Sequence, residues 1–242
     1  MPPPADPTRF VLMQTSHPGN VGAAARAMQV MGFTDLVLVE PRAADIASHA
    51  DALAMASGAV AVLERARVVP TLAEALVGVT HACATAMTPR DFGPPAVAPR
   101  PYLAGLAGAG QRVAFVFGSE RVGMGNEDVY RCHACLSIPT DPAYGSLNLA
   151  QAVQVIAYEW RQAQGGFGVA PRTSEPGAAS VDRVQAALAH WERALVGIGF
   201  LDPGAPKKLM PRLNQLLNRA ALSDDEVNIL RGIARSIERL RK

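Results

Sequence analysis

The chain has 242 residues, 49% of them hydrophobic, and a formal net charge of +2 at neutral pH. That length and apolar content suit a globular core domain carrying an appendage, and they exclude an intrinsically disordered chain. No apolar run is long enough to span a bilayer, and the first ten residues lack the basic and apolar regions of a signal peptide, so a soluble, cytoplasmic protein with no membrane partner is expected.

In chain order, the first two thirds alternate short apolar runs with helical patterns. Residues 10–13, 35–39, 67–69, 81–85, 113–117 and 135–138 read as strands, and 21–31, 50–63, 72–77, 102–107 and 127–131 read as helices. Such alternation predicts an α/β domain with a mostly parallel sheet covered on both faces. Ligand sites in such sheets lie beyond the carboxyl ends of the strands, so the loops there carry the functional information.

The first of these loops runs from His17 through Pro18, Gly19 and Asn20 into a helix containing Gly22, three alanines and Arg26. Asn20 has the chemistry of an N-cap, and Gly22 permits close backbone approach. The stretch is neither a G-x-G-x-x-G dinucleotide fingerprint nor a P-loop, which argues against a nucleotide-dependent oxidoreductase. Arg26 alone reads either as a surface residue or salt-bridge partner, or as a catalytic group.

The second loop leaves a five-residue apolar strand through Gly118, Ser119, Glu120, Arg121, Val122 and Gly123. Charges directly beyond a buried strand are costly unless paired or facing a cleft, so Glu120 and Arg121 either form an ion pair or line a site. Cys132 and Cys135 follow in a C-x-x-C. No second pair completes a zinc site, and three cysteines are too few for a disulfide framework, so buried thiols and no metal are expected.

The third loop, from Ile138 to Asn148, carries Pro139, Pro142, Gly145 and Ser146. Two prolines fix φ, Gly145 opens angles closed to other residues, and Ser146 and Asn148 can cap the helix expected over 149–163. It is a capped turn or a pre-shaped binding loop. Residues 165–180, rich in Gly, Pro, Ser and Ala, then read as a linker between a catalytic domain over 1–164 and a helical extension over 181–242.

The extension shows three apolar stripes at helical spacing: Val184, Leu188, Trp191 and Leu195; Leu209, Leu213, Leu216 and Leu217; Val227, Leu230, Ala234 and Ile237. Ser223 and Glu226 fit a capping box. Eleven Lys or Arg stand against seven Asp or Glu from residue 181 onward, whereas the preceding part is slightly acidic. The basic tail is therefore a candidate nucleic-acid footprint or a solvated helical face.

Three segments together resemble the signature motifs of the SpoU class of SPOUT RNA 2′-O-ribose methyltransferases. They are Asn20-Val21-Gly22-Ala23-Ala24-Ala25-Arg26-Ala27-Met28, Phe117-Gly118-Ser119-Glu120-Arg121-Val122-Gly123-Met124, and Ile138-Pro139 through Ser146-Leu147-Asn148-Leu149-Ala150-Gln151-Ala152. Val155 to Glu159 and the tail segment Glu226 to Ile233 extend the likeness to enzymes that modify nucleotide 32 of the tRNA anticodon loop.

The resemblance implies a SPOUT-type sheet with a deep C-terminal trefoil knot, a homodimer with active sites at the interface, and S-adenosylmethionine as methyl donor. It places cofactor contacts on Thr85, Ala86, Met87, Gly118, Ile138, Gly145, Ser146 and Leu147. It gives Arg26 the central catalytic role beside Ser146 and Asn148, with Asn20, Glu120 and Arg121 shaping the pocket. Phosphate contacts to tRNA are expected from Lys207, Lys208, Arg212, Arg231 and Arg235. Methylation of another tRNA position or of rRNA, and a catalytically silent RNA-binding protein, are the alternatives.

Overall fold

The computed structural model describes residues 6–86, 90–169 and 177–240. The chain divides into two compact units, Met1–Gly168 and Val169–Lys242, each built on its own core.

The first unit holds seven strands: β1 (Arg9–Met13), β2 (Asp35–Val39), β3 (Arg67–Val69), β4 (His81–Thr85), β5 (Ala96–Val97), β6 (Val113–Phe117) and β7 (Ala134–Leu136). They form one sheet in the order β3-β2-β1-β6-β4-β7-β5, and every described pairing is parallel. The last two long-range additions, β6 and β7, insert between strands laid down earlier in the chain.

Alternation along each strand feeds two cores. Phe10, Leu12, Phe115 and Phe117 face a core shared with α1 (Pro18–Val30), α2 (Ala50–Ala56), α3 (Val60–Glu64) and, further along the chain, Leu149 to Trp160. Val11, Met13, Ala82, Ala84 and Val116 face the other, under α4 (Leu72–Ala75), with Val129 from α6 (Asn126–Tyr130). Both faces are thus covered, and the strands read as continuous apolar runs because neither side meets water. Helix α5 (Pro99–Leu106) contributes Leu103 to the first core.

Helix α7 (Leu149–Ala163) anchors this unit. Trp160 packs edge-on against Phe115 at 5.8 Å, and its indole N–H donates to the buried Thr8 hydroxyl at 2.8 Å. Arg161 lies 4.5 Å over the Phe33 ring and donates to the Met31 carbonyl, tying α7 to the end of α1. Gly22 is required where α1 meets α2, since a Cβ there would collide with the Ala52 carbonyl.

Two expectations are corrected. Asn20 does not cap α1: the helix begins at Pro18, whose fixed φ suits the first turn, and His17 is the capping position without a side-chain bond. The helix expected over 50–63 is broken by a 3-10 turn at Ser57–Ala59, where Ser57 takes a φ of 53°.

The second unit contains α8 (Val181–Gly197), α9 (Leu209–Ala220) and α10 (Asp224–Arg239). Val184, Ala187, Leu188 and Val227 make its small core, and Trp191 donates to the Leu230 carbonyl at 2.9 Å. The Ser223–Glu226 capping box forms as expected, with Glu226 accepting from the Ser223 backbone at 2.7 Å and from its hydroxyl at 2.9 Å. No helix among the described residues is long and apolar enough to cross a membrane.

Candidate active site

Strands β1, β6, β4 and β7 are consecutive in the sheet, so the loops leaving their carboxyl ends adjoin. Three of these loops enclose a cavity of about 300 Å³. Thr85 ends β4 and Ala86 follows it; Gly118, Ser119 and Glu120 follow β6; Ile138, Thr140, Gly145, Ser146 and Leu147 follow β7. The volume lies at the lower end of the range for small-molecule sites, and the lining mixes apolar side chains with peptide groups.

The β6 loop is a closed knuckle. Ser119 and Gly123 exchange two backbone hydrogen bonds, at 3.0 and 2.9 Å, and Gly123 takes a φ of 70°. A Cβ on Gly118 would lie 2.6 Å from both the Gly123 oxygen and the Met124 nitrogen. Only glycine leaves the loop this tight against the cavity. In the β7 loop, Asp141 accepts from the backbone of Ala143 at 2.8 Å and of Tyr144 at 3.1 Å, a turn that presents Gly145, Ser146 and Leu147. The Thr85 hydroxyl donates to the Val116 carbonyl at 2.9 Å.

The three motifs meet in one hydrogen-bonded chain. Glu120 accepts from the Asn20 amide at 3.0 Å, and from the Ser16 backbone and hydroxyl at 3.2 and 3.3 Å. The Asn20 carbonyl oxygen accepts from the Asn148 amide at 3.0 Å, and Asn148 in turn caps α7 by accepting from Ala150 N–H at 2.9 Å. Gln151 completes that capping box. Burial pushes the Glu120 carboxyl up, but hydrogen bonds from Asn20, its own backbone and Ser16 outweigh it and hold the group below its ordinary value.

A carboxyl with a depressed folded-state pKa stabilises the fold above the ordinary carboxylate range and loses that contribution as pH falls through the folded value. Wild type is therefore expected to lose stability below about pH 4.3 more steeply than Glu120→Gln. Thermal melts across pH 3 to 7 check this; parallel curves for the two proteins would refute it.

Arg121 does not pair with Glu120. The carboxylate is saturated by Asn20 and Ser16, and Arg121 is exposed with no ion pair among the described residues. Arg26 is also exposed, on the outer side of α1, without a hydrogen bond or ion pair among the described residues and outside the cavity lining of its own chain. Met87 lies outside the described residues. Lys207, Lys208, Arg212, Arg231 and Arg235 are exposed on the second unit.

Sequence reasoning missed Ser16, Arg90 and Thr140. The polar run Gln14-Thr15-Ser16 directly after a buried strand was the available signal for the first; Arg90 and Thr140 line the cavity from stretches with no periodic pattern. The cysteines are buried, and burial reinforced by neighbouring thiols pushes Cys83 and Cys132 up to about 12, so neither is a nucleophile at neutral pH. No cluster of metal-ligating side chains occurs among the described residues.

Comparison with known proteins places the chain in a family. Residues 7–158 match the SpoU rRNA Methylase family, and residues 182–242 match the C-terminal domain of the tRNA methyltransferase TrmJ. The chain is 45% identical over 241 residues to the tRNA (cytidine/uridine/adenosine-2′-O-)-methyltransferase TrmJ of Pseudomonas aeruginosa, covering 94% of this chain and 92% of that one. It is 41% identical over 240 residues to the tRNA (cytidine/uridine-2′-O-)-methyltransferase TrmJ of Klebsiella pneumoniae, covering 97% of each. The crystal structure of TrmJ from Z. mobilis superposes with a TM-score of 0.81 at 32% identity, over 96% of this chain and 99% of that one. By its motifs, its fold and both of its domains, the chain belongs to the SpoU methylase family and to the TrmJ branch within it.

Proposed function

We propose that the protein methylates the ribose 2′-hydroxyl of nucleotide 32 in the anticodon loop of tRNA, using S-adenosylmethionine in the cytoplasm as a homodimer. The observation that carries this reading is that the second and third motif loops line one cavity while the first is tied to both by the Glu120–Asn20–Asn148 hydrogen bonds. The tRNA target is supported by the TrmJ-type C-terminal domain and by the names of the relatives.

The cavity residues fit the methyl donor. Ile138, Leu147 and Met124 offer apolar surface to a purine, while the backbone around Thr85, Gly118 and Ile138 offers donors and acceptors to its edge. S-adenosylmethionine supplies a methyl already activated on a sulfonium, so no metal is needed. The new O–CH₃ bond forms as the S–CH₃ bond breaks.

Arg26 keeps its proton at neutral pH, so it acts by orienting the hydroxyl and stabilising the negative charge that develops on the oxygen. The hydroxyl proton leaves to a phosphate oxygen or water. Ser146 lines the cavity two positions before Asn148, and both would shape the ribose site with Asn20, Glu120 and Arg121. Because Arg26 stands exposed and unpaired outside its own chain's cavity, a site completed between two chains accounts for it. The insertion of β6 and β7 between earlier strands is in keeping with the trefoil knot that the resemblance implies. Lys207, Lys208, Arg212, Arg231 and Arg235 would contact tRNA phosphates from the helical extension, which is joined through a linker around 165–180 to the catalytic domain.

Mapping tests the position. Unmodified tRNA is incubated with protein and S-adenosylmethionine, and alkaline hydrolysis ladders are compared before and after. A single gap on the 3′ side of nucleotide 32 is expected. A gap elsewhere in tRNA, or only in rRNA, would replace this target with another.

A further inference from the structure

The Glu120–Asn20–Asn148 chain has two sides. Glu120 lines the cavity, whereas Asn20 and Asn148 line a separate, open cleft between the start of α1 and α2. This cleft, about 610 Å³, is formed by His17, Pro18, Asn20, Asp51, Met55 and Asn148. Beyond Asn20 and Asn148, the proposed ribose methylation gives the residues of this cleft no role.

Its chemistry suits a nucleobase. Pro18 and the half-exposed Met55 provide apolar surface, His17 provides a ring with no hydrogen bond to the helix it precedes, and Gly19 leaves the floor bare beside Met55. No lysine or arginine lines it, and Asp51 opposes a phosphate there. A base bound here would belong to a nucleotide whose ribose lies at Asn148, beside Ser146 and Leu147 of the cavity.

The amide orientations are fixed by their partners. Asn20 donates one N–H to Glu120 and accepts from Asn148, whose own oxygen is spent on Ala150. Each amide retains one further N–H, a match for the 2-carbonyl that cytosine and uracil share. The bases differ at position 4, where cytosine carries an amino donor and uracil a carbonyl acceptor. Asp51 only accepts while ionised; its side chain is 73% exposed and has His49 beside it at 3.7 Å.

We infer that this cleft receives the base of the nucleotide being methylated, and that Asp51 biases the enzyme toward bases with an exocyclic amino group, cytidine over uridine. The inference rests on the proposed ribose methylation. An open cleft with a solvent-exposed acceptor gives a preference and not an exclusion, because one exposed hydrogen bond contributes little against water.

The test uses the full-length protein and two unmodified tRNA transcripts that differ only in cytidine or uridine at the methylated position. Single-turnover rates give a cytidine-to-uridine ratio for wild type, Asp51→Asn and Asp51→Lys. Asp51→Asn, able to donate as well as accept, is expected to lower the ratio about three- to ten-fold. Asp51→Lys, a donor, is expected to push it further toward uridine. Ratios are read on the active fraction, so partial unfolding does not mimic the effect. Unchanged ratios in both variants, or a ratio that follows a neighbouring nucleotide instead, would overturn the inference. Failure of wild type to methylate either transcript would defeat the proposed activity itself, a separate result.

Discussion

Arg26→Ala is expected to lower the single-turnover rate of methyl transfer about a hundredfold or more, with the fold unchanged. The side chain is exposed and has no partner among the described residues, so its removal leaves no buried charge and opens no cavity. Stability should stay within about 0.5 kcal/mol of wild type. Binding of S-adenosylhomocysteine should also be unchanged, because Arg26 does not line its chain's cavity. Arg26→Lys is expected to recover only part of the rate, since a point-like ammonium does not reproduce a planar fork of donors. Near-normal transfer by the alanine variant would remove Arg26 from the chemistry.

Gly118→Ala acts at the opposite end of the account. The added methyl meets the Gly123–Met124 peptide group, 2.6 Å from the Gly123 oxygen and the Met124 nitrogen, and backbone cannot step aside as a flexible side chain does. Phe117 directly before it is fully buried, so the knuckle cannot relieve the clash by sliding along the strand. The Ser119–Gly123 bonds must open. A stability loss of about 1 to 3 kcal/mol is expected, together with at least a tenfold loss of affinity for S-adenosylhomocysteine. Urea denaturation and calorimetric titration check the two parts. Wild-type affinity in a stably folded variant would show that the β6 loop does not form the cofactor site.

The two substitutions separate the functions that the motifs combine. One strikes the transferred group's environment and spares binding; the other strikes binding through the backbone. Glu120 stands between them, because its hydrogen bonds join the β1, β6 and β7 loops through Asn20 and Asn148.

Much of this arrangement was legible in the residues. The strands at 35–39, 81–85 and 113–117 coincide with apolar runs because both sheet faces are covered there, the exposed edge strand at 67–69 was legible from its paired valines, and α7 spans 149–163 as its cap and stripe indicate. Strand β5, residues 96–97, was not legible: two residues at the sheet edge carry no period. The start of α1 was misplaced because Asn20 has the chemistry of a cap. Its amide is instead drawn to Glu120, a hundred positions away in the chain, and such a tertiary demand leaves no local trace. Pro18 was the better local signal, as a residue suited to a first turn.

For the site, Gly145 and Ser146 stood out by their turn chemistry, whereas Gly118, Ile138 and Leu147 were marked only by the motif resemblance; the sheet order brings their loops together around one cavity. Of the two readings open for Glu120 and Arg121, the ion pair does not form, because adjacency in sequence says nothing of which donors a fold will offer a carboxylate. Ser16 supplies two of them.

Transfer of labelled methyl from S-adenosylmethionine to unmodified tRNA, followed by digestion to nucleosides, tests the central claim most directly. The account predicts label in a 2′-O-methylated pyrimidine nucleoside, absent with Arg26→Ala. Label on a base, or no transfer to tRNA by folded, S-adenosylhomocysteine-binding protein, would contradict it.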